Sequence, residues 1–257
     1  MASSRQIDLN SDLGESFGAY RIGFDVDLFP LLSSANVACG FHGGEPRVME
    51  RTVREASAQN VAIGAHPGYP DRVGFGRRPL SATADEVRTD VLYQLGALDA
   101  FCHAAGVPLH HVKAHGALYN QATTDETFAR AIAEGVAAFN PRLLLYAMPG
   151  SALEAAGKAV GLPTIREAFA DRAYNADGTL VSRRLPGAMI TDPEVAAARM
   201  VRLVTEGKLQ TIDGQDISLE ADSICTHSDT PTALDIVRAM SEAFAKAGIE
   251  VKAPVMR

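Results

Sequence analysis

Residues 61–72 read VAIGAHPGYPDR, in which a short apolar run leads directly into His66 and then into a loop that contains proline, glycine and Asp71. An apolar run followed by ionisable residues occurs in three more stretches, IDLNSDLGES at 7–16, ANVACGFHGG at 35–44 and HHVKAHGALYN at 110–120. A closed βα barrel builds its reaction centre from polar residues at the carboxyl ends of its strands. The recurrence therefore predicts a barrel with a functional mouth, since a simple binding module rarely needs so many such clusters.

The order of apolar and amphipathic segments predicts that strands and helices alternate along the chain. Apolar runs without polar alternation are typical of parallel strands that are buried on both faces. Strand-like runs, most of them of this kind, occur at 7–10, 35–39, 62–65, 112–115, 143–148, 164–168 and 223–226. We therefore predict an α/β fold, a βα barrel of about seven parallel strands, in one domain that spans residues 1–257.

Helix starts and tight turns also have local signals in the sequence. Capping-box spacing occurs at 83–86 and 123–126, prolines that suit a first helical position occur at 193 and 231, and Asp-Gly pairs occur at 177–178 and 213–214. The pair at 213–214 predicts a short hairpin before the final barrel strand.

Composition and charge limit the classes of function. The chain has 257 residues with 24 basic and 31 acidic side chains and a formal charge of -7, which argues against the basic patch of a nucleic-acid-binding protein. No apolar run reaches the length of a membrane span, and residues 1–10 lack the features of a signal peptide. The three cysteines have no close pair, so no disulfide framework is indicated. We expect a cytoplasmic protein with reduced thiols and a small-molecule ligand.

The first two strands are followed by residues that suit cation or anion binding. Asn10 lies on the first strand and Asp12 in the turn that follows, and grouped polar side chains of this kind can hold a divalent cation or supply a general base. His42 stands beside Gly43 and Gly44, whose amides lie near a helix start and can bind an anion. Tight-turn chemistry explains either stretch as well, so both interpretations stay open at this point.

The later clusters add candidates for proton transfer and ligand binding. His66 and Asp71 flank a proline-containing loop that can fold over a pocket, while Lys113 and His115 lie two residues apart on one strand face. The last two clusters contain Glu167, Asp171, Arg172, Tyr174, His227 and Asp229. A surface ion-pair network accounts for any one cluster. Six clusters at six strand ends are better explained by a catalytic mouth.

These stretches, with EAFADRAY at 167–174 and CTHSD at 225–229, resemble the motifs of the LamB/YcsF family in their residues and in their order along the chain. The resemblance extends from Ile7 to the C-terminal helix. It implies a barrel similar to glycoside hydrolase and deacetylase folds. It also implies the role characterised for that family, the A subunit of ATP-dependent 5-oxoprolinase, which with partner subunits B and C converts 5-oxoproline, ATP and water into L-glutamate, ADP and phosphate.

With this resemblance, roles can be suggested for individual residues. Lys113 and Arg172, with the glycine-loop amides, would bind the substrate carboxylate or phosphoryl oxygens. By analogy with deacetylase barrels, Asp12, His66 and His115 would hold a divalent metal ion or position water. The catalytic candidates are Asp12, Lys113, His115, Glu167, Asp171, His227 and Asp229, and the substrate-binding candidates are Asn10, His42, Gly43, Gly44, Asp71, Arg172 and Tyr174.

The sequence leaves two other functions open. One is a stand-alone metal-dependent deacetylase or amidohydrolase that works without ATP, and the other is a non-catalytic subunit that presents substrate to its partners. No GxxxxGK[ST] phosphate loop is present, because the segment 150–158 is mis-spaced and is followed by Ala159. The missing loop leaves room for ATP on a partner subunit but does not decide which subunit binds it, and self-association of the chain is also left open.

Overall fold

Seven parallel strands close into a barrel in the computed structural model, which describes residues 5–256. Three further strands lie outside the barrel, and the ten strands in chain order are β1 (Arg5–Leu13), β2 (Ser34–Ala38), β3 (Ala62–His66), β4 (His111–Val112), β5 (Leu144–Ala147), β6 (Thr164–Phe169), β7 (Lys208–Gln210), β8 (Asp216–Ser218), β9 (Ser223–His227) and β10 (Ile249–Val251). The barrel runs from β1 through β6 in chain order, and β9 closes it by pairing with both β6 and β1. The predicted barrel of about seven parallel strands is confirmed.

Helices connect the strands and cover them from outside. They are α1 (Asp25–Leu28), α2 (Pro46–Ala58), α3 (Ala84–Ala104), α4 (Gly116–Thr124), α5 (Glu126–Phe139), α6 (Ala152–Ala159), α7 (Pro193–Glu206) and α8 (Ala233–Lys246), with a 3-10 turn at Phe29–Leu31. In α8 the buried residues Val237, Met240 and Phe244 recur at three- and four-residue steps, as in a helix that packs one face on a barrel. None of the helices within residues 5–256 is both long and apolar enough to cross a membrane.

Two pieces of sheet lie outside the barrel. The strands β7 and β8 form an antiparallel hairpin around Gly214, as the Asp-Gly pair predicts. The other Asp-Gly pair also turns the chain, since the Gly178 amide donates to the Asn175 carbonyl at 3.0 Å. The short strand β10 was not predicted, and it extends the sheet by pairing in parallel with Arg5, Gln6 and Ile7 of β1.

Two predicted helix starts are confirmed and two are displaced by two residues. Thr83 forms a capping box at the start of α3, and Pro193 is the first residue of α7. In the stretch 123–126 the cap is Asp125 and not Thr123: α4 runs to Thr124, and the Asp125 carboxylate accepts two backbone N–H groups at the start of α5, which begins at Glu126. Pro231 lies before α8, which begins two residues later.

Polar side chains fill the interior of the barrel in layers, as in other βα barrels whose centres are packed rather than open. Asp8 lies nearest the amino ends of the strands and accepts a hydrogen bond from the Tyr146 hydroxyl at 2.8 Å. The next layer joins Asn10, Asn36 and His111, with 2.7 Å between Asn36 Nδ2 and Asn10 Oδ1 and 2.8 Å between His111 Nε2 and Asn36 Oδ1. These residues are fully buried, so they close the amino end of the barrel.

The third layer begins with Asp12, and here the sequence prediction needs correction. Asp12 does not lie in a turn, because β1 extends to Leu13 and keeps Asp12 paired with β2 on one side and β9 on the other. Side chains two residues apart on a strand point to the same face. Asp8, Asn10 and Asp12 therefore all enter the barrel, and Asp12 lies closest to its carboxyl end.

Candidate active site

A buried ion pair stands at the carboxyl end of the barrel. Lys113 Nζ donates to Asp12 Oδ1 at 2.8 Å and to Cys225 Sγ at 2.8 Å. Burial alone would lower the pKa of Lys113, but Asp12, Cys225 and Glu167 outweigh burial and hold it well above its usual range. Burial would raise the pKa of Asp12, but His66 and Lys113 outweigh burial and hold it well below its usual range. The Lys113 and Asp12 side chains therefore stay ionised inside the barrel.

Glu167 supports this pair from the layer below. Its Oε1 lies 3.3 Å from Lys113 Nζ and accepts a hydrogen bond from Asn10 Nδ2 at 3.0 Å, while its Oε2 accepts one from the Tyr119 hydroxyl at 3.0 Å. Burial raises the pKa of Glu167, and Lys113 opposes that rise without cancelling it. Asn10 thus orients Glu167, which faces Lys113 and Tyr119.

Beside Asp12, one carboxylate and three imidazoles converge, and each offers a ligand atom within 4.8 Å of the others. This ligand cluster comprises Glu15, His42, His66 and His115, all of them buried. The outer nitrogen of His66, Nδ1, donates to the Lys113 carbonyl at 2.7 Å, and the outer nitrogen of His115, Nε2, donates to the Phe75 carbonyl at 2.8 Å. Carbonyls accept only, so both outer nitrogens carry protons and the inner nitrogens face the cluster.

The neutral imidazoles in this cluster suit metal binding. Burial first, and the neighbouring imidazoles second, lower the pKa values of His42 and His115 well below the usual range, so both rings are neutral near pH 7. Burial, with Asp12 and Asp229, raises the pKa of Glu15 well above its usual range, so a metal ion that binds there would displace a proton from this carboxyl. Neutral imidazoles with one carboxylate are ligands that divalent transition metals accept. The ligand cluster could therefore bind a metal ion.

This cluster differs from the metal set expected from the sequence, which was Asp12, His66 and His115. His66 and His115 are brought together as expected, with their facing nitrogens 2.9 Å apart. Glu15 and His42 complete the group of ligand atoms instead of Asp12. The physical reason is that Asp12 Oδ1 is bound by Lys113, although Asp12 Oδ2 still lies 3.3 Å from His66 Nε2.

A second histidine–carboxylate pair comes from the last barrel strand. His227 Nδ1 lies 2.8 Å from Asp171 Oδ2, and the His227 ring stacks on Phe169 with 5.4 Å between ring centres. Burial opposes ionisation of Asp171, but His227 outweighs burial and keeps the pKa of Asp171 below its usual value. An ionised aspartate at Nδ1 fixes the imidazole tautomer and leaves Nε2 as the proton acceptor.

These groups surround one cavity of about 560 Å³. Of the residues predicted from the sequence, those that line the cavity are Asp12, His66, Lys113, His115, Arg172 and His227. They come from the carboxyl ends of five different strands or from the segments that directly follow, as the recurring sequence pattern predicts. The volume of this cavity lies in the range of small-molecule binding sites.

Other predicted residues serve the loops around the cavity. The Gly44 amide is not free for an anion, because it donates to the Glu15 carbonyl at 3.3 Å. Gly43 packs so closely on the same residue that an added Cβ would lie 2.9 Å from the Glu15 carbonyl oxygen. Asp71 accepts hydrogen bonds from Arg78 Nε at 2.8 Å and from a backbone amide of its own loop. These three residues do not line the cavity; the two glycines brace Glu15 and Asp71 braces its loop.

Tyr174 and Asp229 also lie outside the cavity lining. The Tyr174 hydroxyl is buried and accepts a hydrogen bond from the Phe169 amide at 2.8 Å, which holds the end of β6 in place. Asp229 pairs with Arg77 Nη2 at 2.8 Å and thereby links the loop after β3 to the segment after β9. Each therefore positions a neighbour that lines the cavity, Phe169 in the first case and Arg77 in the second.

Sequence reasoning missed several lining residues, among them Arg77, Tyr119 and Met148. Tyr119 had a usable signal, because it follows His115 by four residues at the start of α4 and that spacing places two side chains on one helix face. Arg77 had no such signal, since its partner Asp229 is 152 residues away in the chain.

The sequence matches the LamB/YcsF family over residues 7–257. It is 55% identical over 250 residues to the 5-oxoprolinase A subunit of Symbiobacterium thermophilum, an alignment that covers 97% of this chain and 96% of the relative. It is 52% identical over 248 residues to the 5-oxoprolinase A subunit of Thermus thermophilus, an alignment that covers 96% of this chain and 99% of the relative.

Solved structures lead to the same grouping. The crystal structure of the lactam utilization protein from Thermus thermophilus superposes with a TM-score of 0.93 at 52% identity, covering 97% of this chain and 100% of that one. The catalytic domain of a peptidoglycan N-acetylglucosamine deacetylase from Eubacterium rectale, at 10% identity and a TM-score of 0.52, shares the fold alone; the match covers 100% of this chain and 92% of that one. The chain belongs to the LamB/YcsF family.

Proposed function

We propose that this chain is the A subunit of an ATP-dependent 5-oxoprolinase, which opens 5-oxo-L-proline to L-glutamate together with partner subunits B and C. Two relatives at 52% and 55% identity carry the name of that subunit. The observation that carries the proposal is the convergence of Asp12, His66, Lys113, His115 and His227 around one cavity. Such a cavity can enclose a small cyclic amide and exclude bulk water from it.

Opening the ring requires that water adds to the lactam carbon, that the C–N bond breaks and that the nitrogen gains a proton. His227 is suited to both proton transfers, because Asp171 accepts from Nδ1 and leaves Nε2 free to take a proton from water and to return it to the nitrogen. Asp171 keeps the imidazole in that tautomer. Positioned acid–base groups of this kind contribute about 10²- to 10⁴-fold to a rate.

The requirement for ATP follows from the weak electrophilicity of an amide carbonyl, which resonance stabilises. Transfer of a phosphoryl group to the lactam oxygen would make the ring carbon electrophilic enough for water to add. Breakage of the C–N bond would then leave an acyl phosphate, which a second water would hydrolyse to the new carboxylate and free phosphate. Within this chain the segment 150–158 closes on itself, because Glu154 accepts from the Gly150 amide at 2.7 Å and from Lys158 Nζ at 2.6 Å. Lys158 is therefore engaged, and we place ATP on a partner subunit.

A divalent metal ion held by the ligand cluster is part of this proposal. His66 Nε2 and His115 Nδ1 face each other at 2.9 Å, while the other nitrogen of each ring donates its proton to a carbonyl. Two unprotonated nitrogens at that distance would repel each other, and either a proton on one of them or a metal ion bound to both removes the repulsion, so the donor set fits a metal. Glu15 and His42 would complete the ligands. When bound, a divalent metal polarises a carbonyl and lowers the pKa of water.

Metal content tests the ligand cluster without reference to turnover. We expect the wild-type chain, dialysed against zinc or manganese and then washed, to retain about one ion per chain by elemental mass spectrometry. The variant H42A should retain much less, because it removes one ligand from a buried set. The exposed His103 on α3 provides a matched control, and H103A should bind as the wild type does. Equal metal content in all three proteins contradicts the assignment.

A stand-alone metal-dependent amidohydrolase or deacetylase is the second candidate function. The observation in its favour is the ligand cluster at the mouth of a barrel that shares its fold with a deacetylase. That function predicts turnover by the purified chain with metal alone. The proposed 5-oxoprolinase predicts none in the absence of ATP and the partner subunits.

The decisive experiment mixes the purified chain with candidate subunits B and C and measures glutamate release from 5-oxoproline. ATP and each of the three proteins are omitted in turn. We expect glutamate only when all components are present. Undiminished release in the mixture that lacks this chain rejects the proposed function, and release by this chain without ATP supports the amidohydrolase instead.

A further inference from the structure

The cavity is lined by more permanent cations than its carboxylates can neutralise. Lys113 is paired with Asp12 and Arg77 with Asp229. Arg172, Arg183 and Arg184 also line the cavity. Within the part of the chain that the structure describes, residues 5–256, none of these three has a carboxylate oxygen within salt-bridge distance, 4.0 Å.

Arg172 has an unused donor inside the protein. The residue is only 5% exposed, and its Nη2 donates to the Val181 carbonyl at 2.6 Å. Its Nε is buried and has no hydrogen-bond partner among residues 5–256. Buried N–H groups are nearly always paired, because an unpaired one loses its hydration without compensation. A buried guanidinium with a free donor beside a cavity therefore indicates a site for an acceptor ligand.

Arg183 strengthens that indication by its charge. It lies on the segment between β6 and α7, half-buried, and lines the same cavity as Arg172. Burial, and next the nearby Arg183, lower the pKa of Arg172 to about 10, and burial with Arg77 lowers the pKa of Arg183. Like charges that are partly desolvated together destabilise the protein, and a bound anion relieves this repulsion.

We infer that Arg172 and Arg183 form a subsite for a phosphoryl group. Two guanidinium groups match the charge and the several oxygens of a phosphoryl dianion, whereas one bidentate arginine satisfies a carboxylate. A cavity of about 560 Å³ is also larger than a single five-membered ring with one carboxylate requires. The identification of the ligand as a phosphorylated form of the lactam rests on the proposed function.

The position of this subsite fits the acid–base pair. Arg172 directly follows Asp171, the residue that orients His227. A phosphoryl group held by Arg172 and Arg183 therefore lies next to the imidazole that exchanges protons. Asp12 lines the same cavity, but its carboxylate is paired with Lys113 at 2.8 Å, which offsets its repulsion of a phosphoryl group.

Titration calorimetry with inorganic phosphate tests the subsite in the full chain. We expect saturable binding of one phosphate to the wild type and binding at least about tenfold weaker to R183Q, which loses a charge-assisted contact. R130Q is a matched control, because Arg130 pairs with Glu134 on the outer helix α5. R130Q should bind phosphate as the wild type does. R183Q should also unfold at the same temperature as the wild type or higher, since it removes repulsion from Arg172, so weaker binding cannot be attributed to unfolding.

Three results would overturn the inference. The first is that phosphate does not saturate the wild-type chain, and the second is that R183Q binds phosphate as tightly as the wild type. The third is that R183Q loses affinity for acetate but not for phosphate, which would assign Arg183 to a carboxylate. Glutamate release by the complete mixture is measured separately, so a failed phosphate titration leaves the proposed function standing and contradicts only the subsite.

Discussion

Replacement of Lys113 by methionine should strongly destabilise the protein. Lys113 is 2% exposed, and its Nζ neutralises the buried Asp12 carboxylate at 2.8 Å. The same Nζ lies 3.3 Å from Glu167 Oε1. Methionine fills a similar volume but leaves the Asp12 charge without a partner. Removal of one member of a buried ion pair typically costs about 3–5 kcal/mol. In a protein of this size 1 kcal/mol corresponds to about 2–4 °C, so K113M should lower the unfolding temperature by roughly 6–20 °C.

A double-mutant cycle separates this electrostatic cost from lost packing. Thermal and urea unfolding would be followed by circular dichroism at pH 7.5 for the wild type, D12N, K113M and D12N/K113M. The double variant has no unpaired aspartate charge and should recover more than half of the free energy of unfolding that K113M loses. The reasoning is refuted if K113M unfolds within about 1 kcal/mol of the wild type, or if the double variant is no more stable than K113M.

Two further predictions concern proton transfer and pH. D171N should lower kcat of the reconstituted activity by about 10²- to 10⁴-fold with a native circular dichroism spectrum, because His227 loses its orienting carboxylate; unchanged turnover contradicts its role. Burial raises the pKa of Asp25 from 3.8 to about 6, so the folded state holds this proton more tightly and wild-type stability falls as pH rises from about 4 to about 6. D25N keeps an acceptor for the Gly14 amide. Its free energy of unfolding in urea should equal that of the wild type at pH 4 and exceed it by up to about 3 kcal/mol at pH 7.5. The same difference at both pH values would contradict this prediction.

The barrel and the location of the site could be predicted because both depend on local sequence. Most of the barrel strands contain a short apolar run, and the predicted residues that line the cavity stand at the ends of these runs or within a few positions after them. His66, Lys113 and His227 are examples, since each stands at or next to the end of its strand. Their convergence then follows from the geometry of a parallel barrel without knowledge of any individual contact.

The partners of the site residues could not be predicted, because they depend on contacts distant in sequence. Asp12 was expected to bind a metal, but Lys113, 101 residues later, takes one of its oxygens. The Gly44 amide was expected to face a ligand, but the chain after β1 brings the Glu15 carbonyl against it. The packing of separate loops decides which acidic side chain pairs with which basic one. The spacing of residues along the sequence does not indicate these pairs.

The polar layers inside the barrel determine how molecules reach and leave the cavity. Asp8 and Tyr146, with Asn36 and His111 above them, block the amino end of the barrel, so reactants and products enter and leave the cavity at its carboxyl end. Entry and exit therefore compete for one gateway. A partner protein that docked over that gateway would retain a reactive intermediate until it dissociated, and turnover would then depend on how fast the two proteins separate.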